Sequence, residues 1–231
     1  MDFPALEGNL GRVRAEIAAV QAKAGLDGTV TIVAVTKGHT ASAIVEAAEC
    51  GLYDIGENRV QEALVKRDSL GHAGVRWHLI GHVQTNKAKY VPGRFHLVHS
   101  VDSPRIARAI ADAMRRAEDM ESSKIGVLVQ VNASGEKQKY GCTPKTVHDL
   151  VGEIREMPEL EIRGLMTMAP FTSDECVQRN VFEAVRKLRD GMVSEGTALP
   201  ILSIGMSNDF RVAVAEGSNM VRLGTVLFGE R

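Results

Sequence analysis

The stretch Thr31-Ile-Val-Ala-Val-Thr36, followed by Lys37-Gly38-His39-Thr40 and an apolar-patterned segment at 41–50, contains the unit from which the fold is built. An unbroken run of apolar and β-branched residues is typical of a strand in a parallel sheet covered on both faces. Gly38 indicates a turn directly after the run. The stretch therefore predicts a β-strand over 31–36, a short loop and an α-helix over 41–50.

The same alternation of strand and helix continues along the chain. Seven further strands are predicted, at 52–55, 77–80, 97–100, 124–131, 161–165, 201–204 and 220–223. Helices are predicted between them, at 59–69, 85–90, 104–120, 144–156, 175–192 and 210–216. Before the first strand, an extra helix presents one apolar face, made of Leu6, Leu10, Val13, Ile17 and Val20.

Eight strand–helix units in a chain of 231 residues favour a single TIM-type (β/α)8 barrel with an extra N-terminal helix. An open, doubly wound sheet stays an alternative, because hydrophobic periodicity does not report whether a sheet closes. The chain contains no linker, low-complexity segment or short internal repeat. Residues 1–231 are therefore predicted to form one domain.

Composition and charge exclude several classes of partner. The formal net charge is −1, and the charges of both signs are interspersed without a basic stripe, which argues against nucleic acid. The sequence has no apolar stretch long enough for a membrane span and no signal peptide at Met1-Asp-Phe-Pro-Ala-Leu-Glu7. Three widely spaced cysteines, Cys50, Cys142 and Cys176, are typical of a reducing compartment. We expect a cytoplasmic monomer.

Lys37 lies where the first predicted strand ends. In a barrel, functional groups gather at the carboxyl ends of the strands. An amine there can be partly desolvated, kept neutral and used to form an imine with an aldehyde. The ordinary alternative is a solvated surface lysine. Lys66 lies in a helical segment and has no comparable position, and Lys137 and Lys139 lie in a loop that is predicted to be mobile and solvated.

Two turns of small residues follow the last two long apolar runs, at Ser203-Ile-Gly-Met-Ser-Asn-Asp209 and Val221-Arg-Leu-Gly-Thr225. Backbone N–H groups in such turns can hold a phosphate. Ser207 is also expected to cap a helix that begins near Asn208. A lysine that forms an imine and a phosphate cradle together predict a phosphorylated aldehyde, and pyridoxal 5'-phosphate (PLP) is the foremost candidate. A Schiff-base aldolase acting on sugar phosphates stays a distant alternative.

The carboxyl ends of the strands together form the mouth of the predicted barrel. Other polar residues are expected there as well. Gly56-Glu57-Asn58 follows the second predicted strand, and His82 follows the third. Arg222 alternates with Val221 and Leu223 on the last strand, and a buried arginine needs either a carboxylate or a ligand acceptor. The spacing of the histidine pairs His78/His82 and His96/His99 does not match a metal-binding motif.

The chain resembles the YggS/PROSC family of PLP homeostasis proteins over essentially its whole length. The segments that carry the resemblance are Val33-Ala-Val-Thr-Lys37, Ile55-Gly-Glu-Asn-Arg-Val-Gln-Glu62, Trp77-His-Leu-Ile-Gly-His-Val-Gln-Thr-Asn-Lys87, Gly164-Leu-Met-Thr-Met168, Leu202-Ser-Ile-Gly-Met-Ser-Asn-Asp209 and Val221-Arg-Leu-Gly-Thr-Val-Leu-Phe-Gly229. The family is similar to the barrel domain of alanine racemase.

The resemblance implies roles for single residues. Lys37 is expected to form the internal aldimine with PLP, and Arg222 to face the pyridine nitrogen. The phosphate is expected at Ser207, Gly224 and Thr225. Three further residues in the matching segments are expected to line the cofactor: Asn58, His82 and Met206.

Arg222 also bears on whether the chain is an enzyme. A guanidinium is always protonated and cannot accept the pyridinium proton, so PLP beside it is a weaker electron sink. In alanine racemase, the second base comes from an additional domain of a partner subunit, and this sequence continues only to Arg231. We therefore expect a PLP binder that buffers the cofactor and delivers it to apo-enzymes without catalytic turnover. The alternative is a PLP-dependent amino-acid racemase of low activity.

Overall fold

Eight parallel strands form a closed barrel in the computed structural model, which describes residues 2–71, 74–117, 124–136 and 138–230. The strands are β1 Thr31–Val35, β2 Asp54–Glu57, β3 Arg76–Leu79, β4 Leu97–Val101, β5 Ile125–Gln130, β6 Leu160–Met166, β7 Ile201–Met206 and β8 Met220–Leu223. Each strand pairs with the next, and β8 pairs with β1 through Arg222 and Val33. The prediction of a TIM-type barrel is confirmed, and the open sheet is excluded.

Helices cover the outside of the barrel. Their bounds are α1 Leu6–Ala24, α2 Ser42–Glu49, α3 Val60–Leu70, a 3₁₀ helix Thr85–Tyr90, α4 Pro104–Arg116, α5 Val147–Arg155, α6 Glu175–Ser194, α7 Phe210–Ala215 and α8 Thr225–Phe228. The sequence does not predict α8, because a helix of four residues shows no periodicity. Two predictions extend outside the described residues. One is the end of the helix predicted at 104–120, of which 118–120 are not described. The other is the domain predicted at 1–231, of which Met1 and Arg231 are not described.

The extra N-terminal helix, α1, packs beside the last two βα units. It contacts α7 and α8 and buries four apolar residues: Leu6, Leu10, Val13 and Ile17. Asn9 Nδ2 donates a hydrogen bond of 2.8 Å to the carbonyl of Leu227 in α8. The helix ends at Ala24 and is capped by Gly25, whose φ of +64° is the left-handed conformation that glycine adopts with little strain.

The barrel interior contains both apolar and polar side chains. A cluster of strand residues, separate from the larger layer between strands and helices, consists of Val33, Leu97, Leu128, Met166 and Met220. Buried polar residues from neighbouring strands share the interior, among them His99, Ser203 and Arg222. In the described part of the chain, every helix is too short or too polar to cross a lipid bilayer.

Candidate functional site

A cavity of about 460 Å³ opens at the carboxyl ends of the strands. All eight residues that the sequence predicts for the cofactor site line it: Lys37, Asn58, His82, Met206, Ser207, Arg222, Gly224 and Thr225. They come from β7, β8 and the loops after β1, β2, β3, β7 and β8, so closure of the barrel is what brings them together. Their role in holding a cofactor stays a prediction.

A wider depression of about 900 Å³ lies on the outside of the barrel, beside the 3₁₀ helix and α4. Its lining includes Arg67, Lys89 and Arg116 but none of the predicted site residues. Larger volume does not make it the better candidate. The mouth cavity lies at the carboxyl ends of the barrel strands, where functional groups gather in this fold, and all eight predicted site residues line it.

Lys37 follows β1 at the edge of the mouth cavity, and its side chain is partly buried. The backbone on both sides of it is tied to α3. Lys66 Nζ donates to the carbonyl of Thr36 at 2.7 Å, and the Gly38 N–H donates to Glu62 Oε1 at 2.5 Å. These two bonds fix the peptide groups that flank Lys37 and so restrict where its amine can point.

Lys66 is buried directly behind the segment from Thr36 to Gly38. The sequence does not predict this burial. Its Nζ lies 2.6 Å from Glu57 Oε1 and 2.9 Å from Glu62 Oε1. Thr36 Oγ1 donates to the same Glu57 oxygen at 2.6 Å. Burial raises the pKa of Glu57, and the hydrogen bonds from Lys66 and Thr36 oppose that rise. The pair lets two ionisable groups lie inside the fold, because each supplies the partner that the other needs.

The prediction that Glu57 faces the mouth is therefore wrong. Strand β2 runs to Glu57, whereas the sequence predicts its end at 55, because the apolar run stops there. Gly56 lies within the strand, where an added Cβ would come within 2.9 Å of Val33. Asn58 is the first residue of the predicted segment that reaches the cavity.

Arg222 extends from β8 into the barrel and is 4% exposed. Its Nη1 donates to the carbonyl and to Oγ of Ser203, each at 2.7 Å, and Nη2 donates to the carbonyl of Thr167 at 2.9 Å. Burial lowers the pKa of Arg222 to about 10, against the attraction of Asp209, so the guanidinium stays charged at neutral pH. Among the described residues, no carboxylate forms an ion pair with it, which removes the structural ion pair as an explanation.

Two of the five N–H groups of Arg222 have no hydrogen-bond partner among the described residues: the second one on Nη2 and the one on Nε. Since the side chain also lines the cavity, a ligand acceptor there would meet a charged donor. The geometry therefore fits the ligand-facing alternative for this residue.

The prediction that Ser207 caps the following helix is wrong. Helix α7 begins at Phe210, and the Asp209 carboxylate instead accepts from the Met206 N–H at 2.6 Å. Ser207 Oγ accepts from the N–H groups of Gly224 and Val226, at 3.2 and 3.3 Å, and so joins the two turns.

The turns after β7 and β8 contain hydrogen-bond donors that have no partner among the described residues. The backbone N–H groups of Ser207, Asn208 and Thr225 make no hydrogen bond to any described residue. Together with the hydroxyls of Ser207 and Thr225, they form the donor set that a phosphate requires. The two segments that the sequence predicts as a phosphate cradle thus lie side by side at the cavity.

His82 reaches the cavity from the loop after β3. Its ring stacks on Tyr140, with ring centres 3.9 Å apart and planes inclined by 13°, and its Nδ1 lies 3.5 Å from Asp102 Oδ2. The loop lies tightly against its neighbour, because a Cβ on Gly81 would come within 2.2 Å of the Asn58 carbonyl oxygen. His39 does not line the cavity and packs near Phe3 and Phe228 instead.

Tyr140 lines the cavity, and it comes from the segment after β5 that is expected at the mouth, although the sequence does not single out this residue. It belongs to the loop at 132–141, for which composition predicts a mobile, solvated segment. Gln130 Nε2 donates to the Tyr140 carbonyl at 3.1 Å, and Lys139 pairs with Glu136, so side chains tether the loop. Lys137 lies outside the described residues. The signal for Tyr140 is an aromatic residue within a polar loop at a strand end.

The segment after β6 completes the wall of the cavity. Met168, Pro170 and Phe171 line it, and Phe171 is 90% exposed at the rim. Gln178 is buried and donates to the Thr172 carbonyl at 2.6 Å, which fixes the path of this segment. In the described ranges, His, Cys, Asp and Glu do not come together in a group of three that could hold a metal ion.

Comparisons with known proteins agree with this architecture. The family described as alanine racemase, N-terminal domain, matches residues 8–231. The pyridoxal phosphate homeostasis protein of Aquifex aeolicus is 42% identical over 81% of this chain and 81% of its own length. The protein of the same name from Pseudomonas aeruginosa is 38% identical over 96% of this chain and 94% of its own length.

A solved structure of a similar protein has the same fold as this chain. PipY of Synechococcus elongatus PCC7942, in a structure with PLP bound, superposes with a TM-score of 0.80 at 32% identity, over 97% of this chain and 100% of that chain. The sequence resemblance is therefore confirmed by sequence and by fold. This chain belongs to the alanine racemase N-terminal domain family, within its group of pyridoxal phosphate homeostasis proteins.

Proposed function

We propose that this protein binds PLP in the mouth cavity, with Lys37 as the point of covalent attachment, and acts in PLP homeostasis and delivery without catalytic turnover. One observation carries the proposal. A single cavity presents an amine at Lys37, a charged donor at Arg222 and, in the turns after β7 and β8, backbone N–H groups that have no partner among the described residues. These are the groups that an aldehyde, an aromatic ring nitrogen and a phosphate need.

Each group has one task in this proposal. Lys37 provides the amine, and Arg222 directs an N–H toward the ring nitrogen. The turns at Ser207 and Gly224-Thr225 hold the phosphate, while Asn58, His82 and Met206 form walls. Bound PLP supplies an aldehyde that condenses reversibly with primary amines and a ring that can withdraw electrons.

Arg222 supports a carrier over a transaminase or a decarboxylase, whereas racemisation is compatible with it. It stays charged and offers only donors, so it leaves the ring nitrogen unprotonated and the ring a weak electron sink. Reversible attachment at Lys37 suits a protein that holds the cofactor and hands it over. The match to the alanine racemase N-terminal domain keeps a weak PLP-dependent racemase as the second candidate.

A transfer experiment separates the two candidates. PLP-loaded protein is incubated with an apo-enzyme that depends on PLP and, separately, with single amino acids in deuterated water. We expect the apo-enzyme to regain activity while the α-protons of the amino acids do not exchange. Lys187→Ala, which changes a lysine that is 67% exposed on α6, serves as the matched control. Sustained exchange that Lys37→Ala abolishes and Lys187→Ala does not would make this protein an enzyme.

The phosphate should dominate the affinity for the cofactor. A hydrogen bond to a charged group contributes roughly 1.5–3 kcal/mol, and several such donors meet in the two turns. We therefore expect pyridoxal, which lacks the phosphate, to bind at least about 100-fold more weakly than PLP. Calorimetric titration of both compounds measures the difference, and equal affinities would rule out the assignment of the turns.

The same proposal covers the domain organisation, the oligomeric state, the partners and the location of the protein. We assign the whole chain, 1–231, to one PLP-binding domain that works as a monomer, with apo-enzymes as its partners and no nucleic acid. A cytoplasmic location is part of the proposal, and the scattered cysteines, which are unpaired among the described residues, support it.

A further inference from the structure

A line of buried polar side chains crosses the barrel interior from Arg222 to Asp54. Arg222 Nη1 donates to Ser203 Oγ at 2.7 Å, and Ser203 Oγ lies 3.1 Å from His99 Nδ1. His99 Nε2 lies 2.9 Å from His78 Nδ1, and His78 Nε2 lies 2.9 Å from Asp54 Oδ1. Asp54 is the first residue of β2, so the line runs from the mouth to the opposite end of the barrel.

The positions of the protons along this line follow from its first member. Arginine has no acceptor, so Ser203 Oγ must accept from Arg222. The single hydroxyl hydrogen of Ser203 then has His99 Nδ1 as its acceptor among the described residues. Since His99 Nδ1 accepts, the hydrogen of a neutral His99 ring lies on Nε2 and points to His78.

The same reasoning continues to the far end. His78 Nδ1 accepts from His99, so the hydrogen of His78 lies on Nε2 and points to the Asp54 carboxylate. All four hydrogen bonds therefore run in one direction, from a cation to an anion. Burial is nearly complete, with His99 and Ser203 at 0% exposure and His78 at 1%, so water has little access to the line.

The charges at the two ends are stable. Burial acts to raise the pKa of Asp54, but hydrogen bonds from His78 and Arg76 hold it well below its usual range. Arg76 binds both carboxylate oxygens, at 2.7 and 2.6 Å. Burial, together with the positive charge of Arg222, holds the pKa of His99 well below its ordinary value, which keeps that ring neutral.

We infer that these side chains form a proton-ordered relay in which Asp54 is a positioning residue that acts on Arg222 through Ser203, His99 and His78. Arg222 sets the direction of the hydrogen bonds, and Asp54 supplies the final acceptor that holds His78, His99 and Ser203 in this arrangement. The guanidinium, which lines the cavity, is thereby held in place. The proton order is independent of any ligand, whereas its effect on PLP rests on the proposed function.

Nitrogen-15 spectra of the histidines in ligand-free protein test the proton order. We expect His78 and His99 to be neutral, each with its hydrogen on Nε2. Asp54→Asn keeps a carbonyl acceptor and should preserve this pattern. Asp54→Ala removes the acceptor of the His78 Nε2–H, so the nitrogen-15 signal of His78 Nε2 should shift while both rings keep their hydrogen on Nε2. Glu159→Ala, which removes a different carboxylate–arginine pair just before β6, is the matched control and should change neither ring.

The outcomes separate this inference from the proposed function. A hydrogen on Nδ1 of either ring in the unsubstituted protein overturns the relay, even if no Asp54 variant folds. An unshifted His78 Nε2 signal in folded Asp54→Ala also overturns it. With PLP, Asp54→Ala should raise the Kd about tenfold relative to Glu159→Ala, and equal values would remove the coupling to Arg222. Failure of the unsubstituted protein to bind PLP would instead reject the proposed function and leave the test of proton order intact.

Discussion

Replacing Lys66 by methionine is expected to lower the free energy of unfolding by about 3–5 kcal/mol, because it leaves a buried carboxylate without its counter-charge. The Glu57 side chain is 0% exposed, and Lys66 is its cationic partner at 2.6 Å. The change also removes the donor to the Thr36 carbonyl. Urea unfolding followed by circular dichroism at neutral pH measures the loss.

The chain offers a matched control for this measurement. Lys187→Met removes an exposed lysine that pairs with Glu183, and it should change stability by less than about 1 kcal/mol. Replacing both buried partners, Lys66→Met with Glu57→Leu, should recover most of the loss, because no unpaired charge is then buried. A loss below about 1 kcal/mol for Lys66→Met alone would show that the pair does not stabilise the fold.

Replacing Lys37 by alanine is expected to abolish the visible absorbance of the protein–PLP complex that comes from covalent attachment. Weak binding that depends on the phosphate should remain, because the turns at Ser207 and Gly224-Thr225 are unchanged. Titration with PLP, followed by absorbance and by calorimetry, distinguishes the two effects. Lys187→Ala should behave like the unsubstituted protein. Full retention of the absorbance band in Lys37→Ala would show that another amine holds the cofactor.

The sequence predicts the parts of this fold that depend on local pattern. An apolar run of five or six residues forms a strand wherever it is buried on both faces, so the strands lie close to where periodicity places them. Lys37 is predicted as a site residue by the same logic, because the apolar run of β1 stops just before it and functional groups gather at the ends of barrel strands.

Contacts between distant segments escape such reasoning. Lys66 looks like an ordinary helix residue until α3 lies over Thr36 and Glu57. Tyr140 gains its role from stacking on His82, which is far away in sequence.

The relay shows the same limit within the sheet. His78 and His99 lie 21 residues apart on neighbouring strands, and their rings meet through the pairing of β3 with β4. Comparing each histidine with its neighbours in sequence cannot reveal that contact. The register between strands, which sets these pairs, is a property of the closed barrel.

Borohydride reduction of the PLP-loaded protein, followed by peptide mapping, tests the central claim most directly. Reduction makes the bond between the cofactor and its lysine permanent, so mass spectrometry locates the modified residue. We expect one equivalent of reduced cofactor on the peptide that contains Lys37. Label found mainly on the peptide that contains Lys137 or Lys139 would contradict it.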